Sequence, residues 1–444
     1  MSYLCLDDQD LKELRERLLP SDQEHCAVLY AAECKLNDGQ FRLLVREIEY
    51  PTVEDYTVQS IDRAELSPHF VARVSKRART QNLSLVFTHT HPGVEPPVFS
   101  LIDNGGERLL ADFLVSRGQH RNHAALVLSE GGLRARRLGA QEELRVIALG
   151  AKRKVEFEPL VGASDYSRVF DRQVRAFGAA GQRRLGALRV GIVGLGGTGS
   201  VASQQLVHLG IRHFLLIDPD TIEETNLNRV VGATPSDIGA GKVAVASRYI
   251  KEFNAAVGVE AITGDVVYDA VAQKLAQVDL ILCCTDSHGS RSVVQQVAYQ
   301  HLIPCIDVGS TIIQRKGEVT GIYGRVQLLA PTLPCLWCSE LLDASEVRRD
   351  MMNESERRLD PYIVGSREPA PSVISLNGTV VSLAVTMMLG IIAEAPVNAT
   401  HLIYSGMAPS VRSVRGTRKP DCFICSKNGA LAWGHDRPLF TRRD

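Results

Sequence analysis

A chain of 444 residues exceeds one typical domain and most naturally holds two or three, so each half can bury a core of its own. Hydrophobic residues at 45% and charged residues at 23% exclude a disordered, collagen-like or low-complexity chain. Lys plus Arg total 50 against 51 Asp plus Glu, a formal charge of -1, so no overall basic field argues for nucleic acid or an anionic membrane as partner.

The opening stretch lacks the basic and apolar regions of a secretory signal, and the expectation is a cytoplasmic protein. With no such signal, the 10 Cys point away from a disulfide framework and toward metal or redox chemistry. The expected fold class is α/β, with a front α/β domain over residues 1–155 and a second domain over 165–444. In the front domain, Ala27 to Ala32 and Phe41 to Ile48 read as strands, Pro68 to Thr80 as a helix and Leu83 to Thr88 as a strand. A helix over Glu107 to Ser116 follows, then strands at Ala124 to Ser129, Leu133 to Leu138 and Leu144 to Ala148. The polar segment from Ala151 to Asp165 shows little periodicity and reads as the linker.

The chemistry of the front domain lies just after one of these strands. His89 and His91 alternate, so both can point to one side, and Asp103, one helical turn after Ser100, can complete a three-ligand zinc site with a fourth position for water. The bland reading is that Ser100 and Asp103 merely form a helix capping pair. The set resembles the JAMM (JAB/MPN) metallo-isopeptidase motif of a Glu, His-x-His-Pro and Ser-x-x-Asp. The gap from His91 to Ser100 is one residue longer than usual there, with Pro96 and Pro97 inside it. The resemblance implies a catalytic Zn²⁺ held by His89, His91 and Asp103. It makes Glu24 the proton carrier, with Glu33 as the fallback, and Ser100 the group that steadies the oxyanion.

From Arg189 strand and helix alternate in the rhythm of a parallel, doubly wound sheet: RVGIVG, GTGSVASQQLVHLG, HFLLID, GKVAVASRYIKEFN, then Val257 to Ile262. Leu280 to Cys284 and Ile303 to Val308 extend the sheet, with a helix over His288 to Gln300 between them. Gly194, Gly196, Gly197 and Gly199 follow a strand and open a helix, where backbone N–H groups and the helix dipole attract phosphate. Asp218 ends the next strand, placed for ribose hydroxyls. These features alone would suit an NAD-dependent oxidoreductase. Arg229, Lys242 and Asp286, on loops after the strands, decide against it: hydride transfer needs no such charge, whereas attack at a nucleotide α-phosphate does.

This half resembles the MoeB/ThiF/HesA family, the Rossmann-like adenylating fold of ubiquitin-activating enzymes, from Arg172 to Cys425. The resemblance rests on Arg172-Gln173, Gly181-Gln182, Gly194 to Gly199, Asp218-Pro219-Asp220, Asn226 to Arg229, Gly239 to Lys242, Thr285-Asp286 and the pairs Cys335/Cys338 and Cys422/Cys425. Val230 departs from the family's usual Gln. The resemblance implies ATP as substrate, with Asp218 on the ribose and Asn226, Arg229 and Lys242 on the phosphates. It also implies Mg²⁺ at Asp286 and Arg172 reaching across a homodimer.

Four thiolates in two CxxC pairs make a closed tetrahedral set for a structural Zn²⁺. The apolar stretch Val373 to Ala393 is long enough to span a bilayer, but its Ser, Thr, Asn and Gly residues favour a buried core helix, and no membrane partner is expected. Where family members carry a thioester Cys, Ser339 to Asp421 contains none, and Pro369 to Val373 occupies the crossover position. Cys283, Cys284 and Cys305 lie in apolar strands and read as core thiols. The expected partner is a small ubiquitin-like protein or peptide with a free C-terminal carboxylate, passed on to an external acceptor, carrier or conjugating enzyme. The alternative to a second catalytic module is a front domain that only presents the partner's tail.

Overall fold

The structure is a computed structural model that describes residues 1–159, 168–353, 356 and 370–442. The chain divides into two compact units. The first comprises Met1–Ala163, Gln300–Leu302 and Ala430–Pro438; the second comprises Ser164–Tyr299, Ile303–Gly429 and Leu439–Asp444.

The elements of the first unit are β1 (Tyr3–Asp7), α1 (Asp8–Leu18), β2 (Cys26–Lys35), β3 (Phe41–Glu49), β4 (Tyr56–Gln59), β5 (Ala64–Leu66), α2 (Pro68–Thr80), β6 (Ser84–Thr90), α3 (Leu101–Ser116), β7 (Ala124–Ser129), β8 (Gly132–Arg137), β9 (Glu143–Leu149) and β10 (Arg153–Phe157). The main sheet runs β1-β3-β2-β6-β7-β8-β9-β10, and a further pairing of β1 with β9 curls it back on itself. Along β2, Ala27, Leu29 and Ala31 enter one apolar cluster with Leu11, Leu14 and Leu18 of α1. Val28, Tyr30 and Ala32 enter another with Phe70, Val74 and Ala78 of α2 and Leu114 of α3. Both faces are covered, so β2 reads as a continuous apolar run instead of alternating.

Two expectations change here. The segment expected as a linker contains β10, which pairs antiparallel with β9; Arg153 and Val155 sit opposite Leu149 and Ile147. Residues 160–165 of that linker lie outside the described residues. The helix expected from Glu107 begins at Leu101, because the Ser100 and Asp103 capping box supplies the end-group hydrogen bonds that start a helix despite Gly105 and Gly106.

A buried His123 carries an acid sensitivity. Its Nδ1 accepts from the Leu85 backbone N–H at 2.9 Å, so the neutral ring is the form that fits. Burial, helped by Arg121, lowers its pKa to about 4. The folded state therefore resists a proton that the unfolded chain takes near pH 6.5, and stability is lost as pH falls from there toward 4. We expect the first unit to lose about 2 kcal/mol between pH 7 and 5 from this group alone. His123→Asn, which keeps an acceptor without the titration, should flatten that dependence in denaturation followed by Trp433 fluorescence in a Trp337→Phe background. An unchanged slope would exclude His123 as its source.

The second unit contains α4 (Asp171–Ala187), β11 (Arg189–Val193), α5 (Gly197–His208), β12 (His213–Ile217), α6 (Lys242–Phe253), β13 (Gly258–Ile262), α7 (Asp269–Ala272), β14 (Leu280–Cys283), α8 (His288–Gln300), β15 (Cys305–Arg315), β16 (Glu318–Leu329), α9 (Ala344–Met351), α10 (Ile374–Ile392), β17 (His401–Ser405) and β18 (Ser410–Ser413). Gln300, the last residue of α8, groups with the first unit. The sheet order is β13-β12-β11-β14-β15-β16-β17-β18. It is parallel from β13 to β15 and antiparallel from β15 to β18, so the doubly wound half carries an antiparallel extension absent from the sequence-based expectation.

Helix α10 is long and apolar enough to cross a membrane by length and composition. In the fold it packs on α5, β15 and β16. Leu376, Val380, Val381, Ala384, Val385, Met387, Met388, Ile391 and Ile392 all join the core of the unit. Each fully buried large aliphatic of this kind contributes roughly 1.5–3 kcal/mol.

Candidate active sites

In the second unit the glycine turn between β11 and α5 is dictated by space. Gly194 has φ +86, and a Cβ there would lie 2.9 Å from the Cys284 and Thr285 backbone; one on Gly199 would lie 1.8 Å from the Gly194 carbonyl oxygen. No larger residue fits, so the backbone stays open at the start of α5, where N–H groups have no partner within the helix. Asp218 braces the turn from the end of β12: its carboxylate accepts from Leu195 N at 2.5 Å and from Asp220 N at 2.8 Å. Burial raises the Asp218 carboxyl above its usual range, while those two bonds and Lys242 oppose the rise.

The charged side chains gather around this turn. Lys242, the first residue of α6, pairs through Nζ with Asp220 at 2.7 Å. Arg229 donates to the Thr225 carbonyl and, at 3.2 Å, to Asn228 Oδ1. A Cβ on Gly197 would lie 3.5 Å from Arg229 Cδ, so the arginine stem passes beside the glycines. Asn226 is buried and closes its own turn, its Oδ1 accepting from Glu223 N at 3.3 Å. Asp286 is exposed on the loop after β14. Arg172 is exposed in the first turn of α4, and among the described residues no hydrogen bond or ion pair joins it to Asp218, Lys242 or Asp286.

Sequence reasoning missed the groups that hold the Asp286 loop. Arg291 of α8 donates Nε to the Thr285 carbonyl at 3.0 Å, and its Nη1 lies 3.4 Å from Asp307, a fully buried carboxylate on β15 that Arg325 of β16 also meets at 2.6 Å. Asp350 of α9 accepts from Ser287 Oγ at 2.8 Å and from Gly289 N at 2.9 Å. None of these residues stands in a local motif, because they converge from four separate elements.

The four CxxC sulfurs come together and are buried, with Cys335 to Cys422 at 3.5 Å and Cys338 to Cys425 at 3.6 Å. Hydrogen bonding from Cys335, with Cys338 and Cys422, lowers the Cys425 thiol, and Cys335 is raised in turn. One sulfur thus becomes a thiolate most readily, and a closed set of four suits a structural zinc ion. Cys335→Ser is expected to lower the unfolding midpoint of the second unit and to abolish its sensitivity to a chelator, because metal affinity at such a site is folding free energy. Trp337, between Cys335 and Cys338, gives the fluorescence readout; equal midpoints with and without chelator in the wild type would count against a metal there.

In the first unit, the end of β6, the residue just after it and the start of α3 bring His89, His91 and Asp103 together. His89 Nε2 lies 3.1 Å from His91 Nε2 and 3.1 Å from Asp103 Oδ1, and His91 Nε2 lies 3.6 Å from Asp103 Oδ2. The capping box is also present, with Asp103 Oδ2 accepting from Ser100 N at 2.5 Å. The bland reading of Ser100 and Asp103 therefore holds alongside the cluster and does not replace it. Glu24, just before β2, is buried with Oε1 3.9 Å from His91 Nε2. The fallback Glu33 instead accepts from Asn122 at 2.7 Å.

Burial raises the Glu24 carboxyl, against the pull of His89 and His91. Burial acts the same way on Asp103, but hydrogen bonds from His89 and His91 outweigh it and hold that carboxyl below the usual range. Two imidazoles and a carboxyl within ligand distance, with a second carboxyl just beyond, suit three ligands and one proton carrier. They line a cleft of about 690 Å³ with Cys26, Phe87, Ser100 and Glu107. Beside it Arg136 makes a buried pair with Glu107 at 2.8 Å and stacks on Phe99 at 3.9 Å, a support the sequence did not reveal.

Residues 170–424, more than half of the chain, match the ThiF family. The chain is 25% identical over 254 residues to a SAMP-activating enzyme E1 of Haloferax volcanii, covering 57% of this chain and 85% of the relative. It is 26% identical over 260 residues to a molybdopterin-synthase adenylyltransferase of Salmonella typhimurium, covering 58% and 96%. Over 256 residues it is 25% identical to a sulfur carrier protein ThiS adenylyltransferase of Escherichia coli, covering 56% and 90%. With the glycine turn, Asp218 and the surrounding cations in one doubly wound unit, the chain belongs to the ThiF family, and its second unit is an adenylyltransferase domain of that family.

Proposed function

We propose that the second unit activates the C-terminal carboxylate of a small ubiquitin-like protein as an acyl-adenylate, and that the first unit cleaves a peptide or isopeptide bond at the same tail. The observation that carries this reading is the presence in one chain of a ThiF-family nucleotide turn and a cleft with a His89, His91, Asp103 and Glu24 set. The relatives, whose names specify a sulfur carrier protein, molybdopterin synthase or SAMP as the target, support a small-protein substrate.

In adenylation a carboxylate oxygen attacks the α-phosphorus and pyrophosphate leaves. Arg229 and Lys242 are the cations that neutralise charge developing there, Asn226 orients the phosphates, and Asp218 holds the ribose. Asp286 is the carboxylate for Mg²⁺, which when bound offsets phosphate charge. Arg172, exposed at the start of α4, is assigned to the neighbouring subunit of a homodimer. The crossover position that begins at Pro369 lies partly outside the described residues, and the lack of Cys from Ser339 to Asp421 directs the adenylate to an external acceptor.

In the first unit the donor set of two imidazoles and a carboxylate, all within 4.8 Å of one another, fits zinc. A zinc ion held by His89, His91 and Asp103 would make a nearby water more acidic. Glu24, beside His91, takes a proton from the attacking water and returns it to the leaving amine, and Ser100 donates to the oxyanion. The reading is tested by ATP–pyrophosphate exchange with small ubiquitin-like proteins ending in Gly-Gly, presented with and without a tail extension. Exchange should require the free tail, and the extended form should become a substrate after incubation with the wild type. Exchange that no such protein stimulates would remove the substrate class, and an extension left uncut would remove the peptidase.

A further inference from the structure

Another cluster of metal-binding side chains lies in the first unit, apart from the cleft. Cys34, at the far end of β2 from Glu24, is fully buried, with Sγ 3.2 Å from His435 Nε2. His301, just after α8, is also buried, and its ring stands edge-on to that of His435 with centroids 4.9 Å apart. One ligand atom from each of the three lies within 4.8 Å of the others. Neither ring nitrogen of His301 has a hydrogen-bond partner among the described residues. A buried imidazole in that state asks for an ion or another partner.

The surroundings hold this geometry. His435 sits in the short turn Gly434–Asp436. Gln300, next to His301, donates to the Gly434 and Arg437 carbonyls at 2.6 and 2.5 Å. Asp436 accepts from Asn82 at 2.8 Å, and Arg46 stacks on Trp433 at 3.4 Å while donating to the Leu431 carbonyl at 3.2 Å. The two histidines are therefore presented to Cys34 from segments that are themselves anchored to the first unit.

We propose that Cys34, His301 and His435 form a third zinc site, in which one thiolate and two imidazole nitrogens bind a single Zn²⁺ and water takes the fourth position. A tetrahedral ion with ordinary Zn–S and Zn–N bonds needs sulfur and nitrogen about 3.6 Å apart, which lies between the closest approach and the outer limit of this cluster. Mixed thiolate and imidazole donors suit Zn²⁺ over Mg²⁺ or Ca²⁺, which take oxygen. Such an ion satisfies one nitrogen of His301 and ties three stretches of chain together, the outer two 401 residues apart. It would act as a clasp on the C-terminal segment.

Zinc at this cluster is independent of adenylation and tail cleavage, and metal content alone reads it. The full chain, stripped and reloaded with zinc, should hold one equivalent more than His301→Ala or Cys34→Ser, with the metal of the other two sets retained. Cobalt loading should show a single-thiolate charge-transfer band, over that of the four-cysteine set, that Cys34→Ser removes. Should either variant fail to fold, cadmium NMR of the wild-type chain decides: a resonance in the range for one sulfur and two nitrogens supports the site. Its absence at saturating cadmium, or full metal content in a folded His301→Ala chain, overturns it.

Discussion

Lys242→Met is expected to slow ATP–pyrophosphate exchange by about 10²–10³-fold while weakening ATP binding far less. The ammonium sits in the first turn of α6, where it pairs with Asp220 at 2.7 Å. In the proposed role it would meet charge that grows on the phosphates as pyrophosphate departs, with the α6 dipole adding to its effect. Its removal also leaves Asp220 without its cation beside the incoming phosphates. Methionine keeps the aliphatic stem, so the loss isolates the charge. Steady-state exchange at varied ATP separates the outcomes: a lower maximal rate supports a transition-state role, whereas a raised KM at full rate would reduce Lys242 to ground-state binding.

Glu24→Gln is expected to slow tail cleavage by about 10²–10⁴-fold with the metal still bound, because an amide cannot take the proton from the attacking water. His89→Ala should behave differently. It removes one of three donors, so metal content and cleavage fall together while pyrophosphate exchange continues. The pair of variants separates proton transfer from metal binding, with cleavage read on a tail-extended substrate and metal by elemental analysis. Full cleavage by Glu24→Gln would exclude this carboxylate as the proton carrier, and Glu33, turned instead to Asn122, offers no ready replacement.

What was legible from residues alone followed from local rules. Pro68 to Thr80 is a helix with Ser67 as its N-cap and Pro68 in its first turn, and the structure has the same bounds. The glycine turn, its strand and its helix were readable because tight backbone approach permits so few residues. The clustering of the CxxC pairs and of His89 with His91 was readable because a two-residue gap and strand pleating bring side chains at short, regular spacings to one side. Cys283, Cys284 and Cys305 are buried, with their thiols raised by burial, as their apolar strands implied.

Tertiary structure decided what depends on convergence over long distances in the chain. The strand β10 hides in a segment with little periodicity because it is an edge strand held by β9, and its pattern owes little to a core. Helix α10 has the composition of a membrane span, and only its packing against α5, β15 and β16 makes it the interior of a folded unit. The Arg291, Asp307 and Arg325 group and the Cys34, His301 and His435 cluster have no sequence signature, since each member comes from a different element. A short motif records chemistry that neighbouring residues perform together; a site assembled from positions 34, 301 and 435 exists only once the chain has closed loops whose ends carry no local sign of one another.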